Sequence, residues 1–157
     1  MSALTSDSYH FFWRGPFSNW HKSEFYDRGI KFNCVEQYMM AAKAMLFSDT
    51  VTHHDIMKQT DPRNMKALGR RVKGYNDMEW DYFKENIVFR GLLCKFSQNP
   101  DLRIELLSTG NKMLVEASPY DRVWGIGFGE AEALANKSKW GENLLGKLLT
   151  EVKFMLQ

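Results

Sequence analysis

The spacing of apolar positions changes several times along the chain, and each change marks an element. Tyr9 to Trp13 is a short aromatic run that predicts a strand, and Phe25 to Phe32 predicts two short strands around a turn at Asp27 to Gly29. From Val35 the period becomes helical, with Tyr38, Met39, Ala42 and Leu46 following on one side. Asn33 followed by Glu36 has the form of a capping box, so this helix is expected to begin there and run to about Phe47. A second helix is expected over Thr50 to Lys58. Asp61-Pro62 supplies a cap and a first-turn proline for a third, ending near Gly69. Asn76 and Glu79 repeat the capping pattern ahead of the longest helix, whose apolar face is expected to be Trp80, Phe83, Ile87, Gly91 and Cys94. Asn99-Pro100 restarts a helix that stops at Gly110, and Met113 to Glu116 reads as a short strand. Asn143 to Met155 predicts a last helix with Leu145, Leu148, Leu149, Val152 and Leu156 on one side. The expected class is mainly α (α+β), with a few short strands supporting loops. No βαβ alternation appears, which disfavours Rossmann and P-loop scaffolds.

A chain of 157 residues is long enough for one continuous core, so a single domain is expected over 1–157, with its core over about 10–156. Hydrophobic and charged contents of 44% and 25% exclude a disordered tail protein. The net charge of +2 neither marks nor excludes a nucleic-acid binder. Cys34 and Cys94 read as reduced core thiols, and His10, His21, His53 and His54 share no ligand spacing with them, so no metal is expected. No apolar run reaches membrane-spanning length, and Met1 to Thr5 lacks the features of a signal peptide. A cytoplasmic protein is therefore expected.

The densest candidate chemistry lies in Leu114-Val-Glu-Ala-Ser-Pro-Tyr-Asp-Arg-Val-Trp-Gly-Ile-Gly127. Loops are built mostly from small solvated residues, so acid, base and a large aromatic in one loop point to a shaped pocket. The competing reading is a satisfied turn, with Asp121 bonding its own backbone and Trp124 filling the core. Phe17-Ser18-Asn19-Trp20 offers a hydroxyl, an amide and aromatics that can stack a base and bond its edge, or pack plainly around a Gly-Pro turn. Glu36 either caps its helix and answers the helix dipole or acts as an acid. Lys43, two turns along nearly the same face, either snorkels from the core edge or reaches an anionic ligand. Arg70 and Arg71 are either solvated caps or fork-shaped donors to phosphate. The spacing of Gly125, Gly127 and Gly129 departs from a dinucleotide fingerprint, and no Ser-His-Asp arrangement can be assembled.

Taken together, several blocks resemble the NADAR (YbiA-like) superfamily over about His10 to Leu156. They are Phe11 to Trp20, Val35-Glu-Gln-Tyr-Met-Met-Ala-Ala-Lys43, Thr60-Asp-Pro-Arg63 with Ala67-Leu-Gly-Arg70, Lys95 to Arg103, Leu114 to Gly127, and Asn143-Leu-Leu-Gly146. The resemblance implies a mainly helical fold and N-glycosidic chemistry on ribosides. Members hydrolyse phosphorylated riboflavin-pathway intermediates or remove ADP-ribose from modified guanine in nucleotides and DNA. It implies that Glu36, Asp121 and Lys43 are catalytic, without metal or cofactor. It further implies that Arg14, Phe17, Ser18, Asn19, Trp20, Tyr38, Arg70, Glu116, Ser118, Pro119, Trp124, Gly125, Gly127 and Asn143 bind substrate. Ser118-Pro119-Tyr120-Asp121 differs from the polar form of the riboflavin branch, which leans the implied partner toward an ADP-ribose-type nucleotide, on guanine nucleotide or DNA. The segment Glu130 to Lys139 is less family-like.

The expected mechanism has two acids, distant in sequence, acting on one ribosyl C–N bond: Glu36 on the ribose side and Asp121 on water or the leaving-group proton. Lys43 and Arg70 would hold phosphates or stabilise charge, with Trp20 and Trp124 walling the sugar and base. A non-catalytic ADP-ribose-binding module and a helical scaffold are the competing classes.

Overall fold

Helices carry most of the structure, a computed structural model that describes residues 8–157. Met1 to Thr5, on which the expectation of no leader rests, lie outside the described residues. The chain divides into two compact units, Asn19–Asn99 and the stretches on either side of it, residues 8–18 with Pro100–Gln157.

In Asn19–Asn99 a hairpin leads. Its strands are β2 (Phe25–Asp27) and β3 (Ile30–Phe32), antiparallel with Phe25 opposite Phe32. Arg28 and Gly29 both have positive φ, 53° and 81°, as a tight two-residue hairpin turn requires. Four helices follow: α1 (Val35–Leu46), α2 (Thr50–Met57), α3 (Pro62–Gly69) and α4 (Asp77–Gln98). The last three start where their capping residues predict. Asp49 accepts from Thr52 N, Asp61 from Arg63 N and Asn76 from Glu79 N, each at 2.9–3.0 Å. The other three helices all pack on α1, which is why Val35 to Ala41 and Ala44 are buried.

Two expectations are corrected here. The capping box at Asn33 and Glu36 does not start α1; Cys34 is the cap, with extended backbone and no side-chain bond. Gln37 reaches back instead, its Oε1 accepting from Asn33 N at 2.8 Å while its Nε2 donates to Ile56 O at 3.1 Å. An amide can serve both the start of α1 and the end of α2, whereas a carboxylate can only accept. The buried face of α4 is also rotated, to Trp80, Val88, Gly91, Leu92, Lys95 and Phe96, leaving Phe83 exposed. Gly91 sets that rotation: a Cβ there would meet the Tyr38 ring at 2.7 Å, so α4 lies against α1 along this line.

In the other unit, β1 (Tyr9–Phe12) and β4 (Met113–Glu116) pair in parallel, with Phe12 opposite Glu116. Around them stand α5 (Pro100–Leu107), α6 (Glu130–Ala133) running into a 3-10 turn at Leu134–Lys139, and α7 (Leu144–Leu156). Val115, Ala117, Ile126 and Ala133 form a core flanked by Tyr9, Phe11, Phe128 and Trp140. Among the described residues no helix is long and apolar enough to cross a membrane, and no His/Cys/Asp/Glu group could hold a metal ion.

Candidate active site

Because Gln37 does the capping, Glu36 is not needed for it. Its backbone N–H instead donates to Asn19 O at 3.0 Å, and the residue is 4% exposed. A carboxylate in the first turn of a twelve-residue helix faces the positive end of the helix dipole. Two turns on, Lys43 lies half-buried, with Nζ 4.5 Å from the centroid of the Tyr75 ring and 5.6 Å from that of Trp80. Burial lowers the Lys43 amine below the ordinary lysine range, and the charge of Arg70 pushes the same way, while Glu36 and Asp77 oppose. Glu36, Lys43, Arg70 and Asp77 therefore share one electrostatic neighbourhood. Tyr75 belongs to it too: burial first, then hydrogen bonding to Asp77, raise its phenol to about 12.

Arg70 caps the C-terminus of α3 and is exposed. Its position follows from Gly69, where any Cβ would collide with Met40 Sδ, so α3 approaches α1 more closely than another residue allows. Asn19, 7% exposed, keeps a buried Oδ1 with no hydrogen-bond partner among the described residues. Leaving such an acceptor unmatched costs about 1–3 kcal/mol, a cost that a ligand donor would remove. Trp20 is 41% exposed, with Lys66 Nζ 6.0 Å from its ring centroid.

In the other unit the loop after β4 is held by its own backbone. Asp121 Oδ1 accepts from Val123 N and Trp124 N, both at 2.9 Å, which is the satisfied turn named as the competing reading. Its Oδ2 takes no hydrogen bond among the described residues, so the turn leaves one carboxylate oxygen available. Ser118 Oγ accepts from Tyr120 N at 3.2 Å, and Pro119 is exposed. Asn143, buried and left-handed at φ 53°, accepts from Glu116 N at 3.0 Å and donates to Leu114 O at 3.1 Å. Main-chain bonds from Asn143, Leu144 and Leu145 to Gly125, Val123 and Trp124 complete this clamp on the loop. The glycines serve that packing: a Cβ at Gly125 would lie 2.9 Å from Glu116 O and 3.0 Å from Asp121 O, and Gly127 has φ 80°. Trp124 is half-buried, and Glu116 Oε2 is buried beside Gly125.

Several residues expected to bind substrate are occupied in packing. The Tyr38 hydroxyl donates to Asp27 Oδ2 at 2.7 Å, and its ring packs on Phe25 and Phe32. Phe17 is buried edge-on against His10 and Phe12, and Ser18 N closes a turn onto Gly15 O at 2.9 Å. Arg14 is exposed and lies over Trp13 at 5.0 Å. The neighbours Tyr75 and Asp77 were not foreseen, although an aromatic immediately before the Asn76 cap was a usable signal. Lys95 was not foreseen as a buried amine; it is fully buried, and burial lowers it to about 7.

Comparison with known proteins gives the class first. The chain is 46% identical over 144 residues to N-glycosidase R617 of Acanthamoeba polyphaga mimivirus, spanning 87% of this chain and 85% of that protein. It is 31% identical over 152 residues to N-glycosidase YbiA of Shigella flexneri, spanning 97% and 84%. The NMR structure of the E. coli protein YbiA matches with a TM-score of 0.79 and 28% identity, over 98% of this chain and 87% of that one. Fold and relatives thus define a hydrolase of the N-glycosidase kind. The NADAR domain pattern matches residues 11–157, and the chain belongs to that family.

Proposed function

We propose that this enzyme hydrolyses the ribosyl C–N bond of ADP-ribosylated guanine, borne by a nucleotide or by DNA, and releases ADP-ribose. The observation that carries the reading is the buried Glu36 carboxylate sharing its surroundings with Lys43 and Arg70. Cleavage of such a bond builds positive charge on the anomeric carbon and ring oxygen, which a carboxylate stabilises. The pyrophosphate elsewhere on the substrate calls for cations. A site that only held pyrophosphate would gain nothing from a buried acid.

In the proposed reaction the C–N bond breaks as its electron pair leaves with the guanine nitrogen. Water forms the new C–O bond; one of its protons stays on the new sugar hydroxyl and the other goes to the departing amine. Glu36 stabilises the cationic sugar, and Lys43 and Arg70 hold phosphate. The loop form Ser118-Pro119-Tyr120-Asp121 supports guanine over the riboflavin-pathway substrates.

The test is purified protein incubated in parallel with ADP-ribosylated guanosine and a phosphorylated aminouracil riboside. Faster release of ADP-ribose than of aminouracil is expected. The reverse order moves the enzyme to riboflavin intermediates, and tight ADP-ribose binding without product makes it a reader.

A further inference from the structure

A cavity of about 260 Å³ opens beside α1 and α3, lined by Trp20, Lys22, Asn33, Cys34, Thr60 and Pro62. We propose that this cavity is a mononucleotide subsite, taking a nucleobase against Trp20 and its phosphate on Lys22. The proposal rests on the glycosidase reading in one respect, that the nucleotide held is the one whose base loses its ADP-ribose.

Four observations carry it. The wall is a large aromatic left 41% exposed, and an indole face stacks on any base. The charge lining the cavity is cationic: Lys22 is in the wall, Lys66 Nζ stands 6.0 Å from the Trp20 centroid, and none of the six lining residues carries a carboxylate. Such a set selects an anion over a neutral sugar. The polar edge is also specific. Asn33 Nδ2 donates to Gln59 O at 3.4 Å, which leaves Asn33 Oδ1 as an acceptor for a base N–H, with the Thr60 hydroxyl alongside. Finally, the volume lies below the roughly 300–1,000 Å³ of sites that enclose drug-sized ligands, so it suits one nucleotide and not a dinucleotide. Cys34 joins this wall to the acid by chain connectivity, since Glu36 follows two residues later and Asn19 O receives the Glu36 amide.

None of the residues Lys22, Asn33 or Thr60 takes part in the proposed bond cleavage. Their effect should therefore appear in binding, as a change in KM and not in kcat.

The experiment is calorimetric titration of the full chain with guanosine 5′-monophosphate, guanosine and inorganic phosphate, each alone. The monophosphate is expected to bind at least about tenfold more tightly than guanosine, the difference one charge-assisted contact supplies. Lys22→Glu should erase that difference while leaving guanosine binding in place, and Trp20→Ala should weaken both ligands. Lys22 is exposed, so its substitution leaves the fold intact, which circular dichroism checks. Equal affinity for monophosphate and guanosine, or undiminished monophosphate binding in both variants, overturns the subsite. Because no turnover is needed, loss of the subsite is distinguishable from loss of the glycosidase reading, which shows only as wild-type protein that releases no ADP-ribose.

Discussion

Lys43 holds its Nζ 4.5 Å from the centroid of the Tyr75 ring, inside a neighbourhood that also contains Glu36, Arg70, Asp77 and Trp80. The ring faces attract the cation while burial and Arg70 favour the neutral amine, so the lysine loses its proton more easily than a free one. If the cation is what the reaction uses, kcat/KM falls on the alkaline side at a pH below 10.5, the ordinary lysine value. Lys43→Arg should remove that alkaline limb, because a guanidinium stays charged beyond roughly pH 12. Lys43→Ala should lower kcat/KM by about 10²–10³-fold on the acid side of that limb, with the difference shrinking along it. A pH–rate profile with ADP-ribosylated guanosine checks all three.

Packing of α4 on α1 turns on Gly91. The Tyr38 ring that an added Cβ would meet is tied down through Asp27, which also receives Arg90 at 2.8 and 3.0 Å. Gly91→Ala should therefore cost about 1–3 kcal/mol of stability by overpacking. Gly69→Ala should cost less, because Met40 presents a flexible thioether. Denaturant midpoints that rank the two variants the other way would contradict this.

Asn143 braces the loop that carries Asp121. Asn143→Ala strands Glu116 N and Leu114 O and keeps the left-handed backbone, so it should cost about 1–3 kcal/mol for each group left unpaired. Asn143→Gly relieves the φ of 53° but not the lost bonds, and should recover only part of the stability. Thermal melts of the two variants measure the split.

Lys95 ties stability to pH. Its amine sits at about 7 in the folded chain, through burial, and near 10.4 in an unfolded one. Between these values the unfolded chain binds more protons, so stability rises with pH; at about pH 7 and below, the cost of burying the cation is at its fullest. Lys95→Met should be more stable than wild type by a few kcal/mol near neutrality, with the advantage shrinking toward about pH 10. The difference between the two proteins is the quantity to follow. Cys34 and Cys94, whose thiols burial raises, pull the other way in both proteins above roughly pH 8.5. A pH-independent difference would contradict the assignment.

The helices were legible wherever a short polar side chain could reach an N–H two or three residues on, as Asp61 and Asn76 do. Asn33 misled because Gln37, with a longer amide, competed for the same role through a contact to Ile56 that lies far off in sequence. The face of α4 was misjudged for a related reason, since the close approach at Gly91 depends on Tyr38. Spacing along a single helix brought Glu36 and Lys43 into view. It could not show that Tyr75 and Trp80 would enclose the lysine, or that Tyr38 and Phe17 would be absorbed in packing. The Lys22–Thr60 wall was invisible because neither residue belongs to a periodic pattern.

The central claim is that the Glu36 carboxylate stabilises the cationic sugar as its C–N bond is cut. Single-turnover release of ADP-ribose from ADP-ribosylated guanosine by wild type and Glu36→Gln tests it most directly, because binding and product release drop out of the comparison. The substitution keeps shape and removes charge, so the rate should fall by about 10²–10⁴-fold with folding unchanged. An undiminished rate in Glu36→Gln would contradict the account.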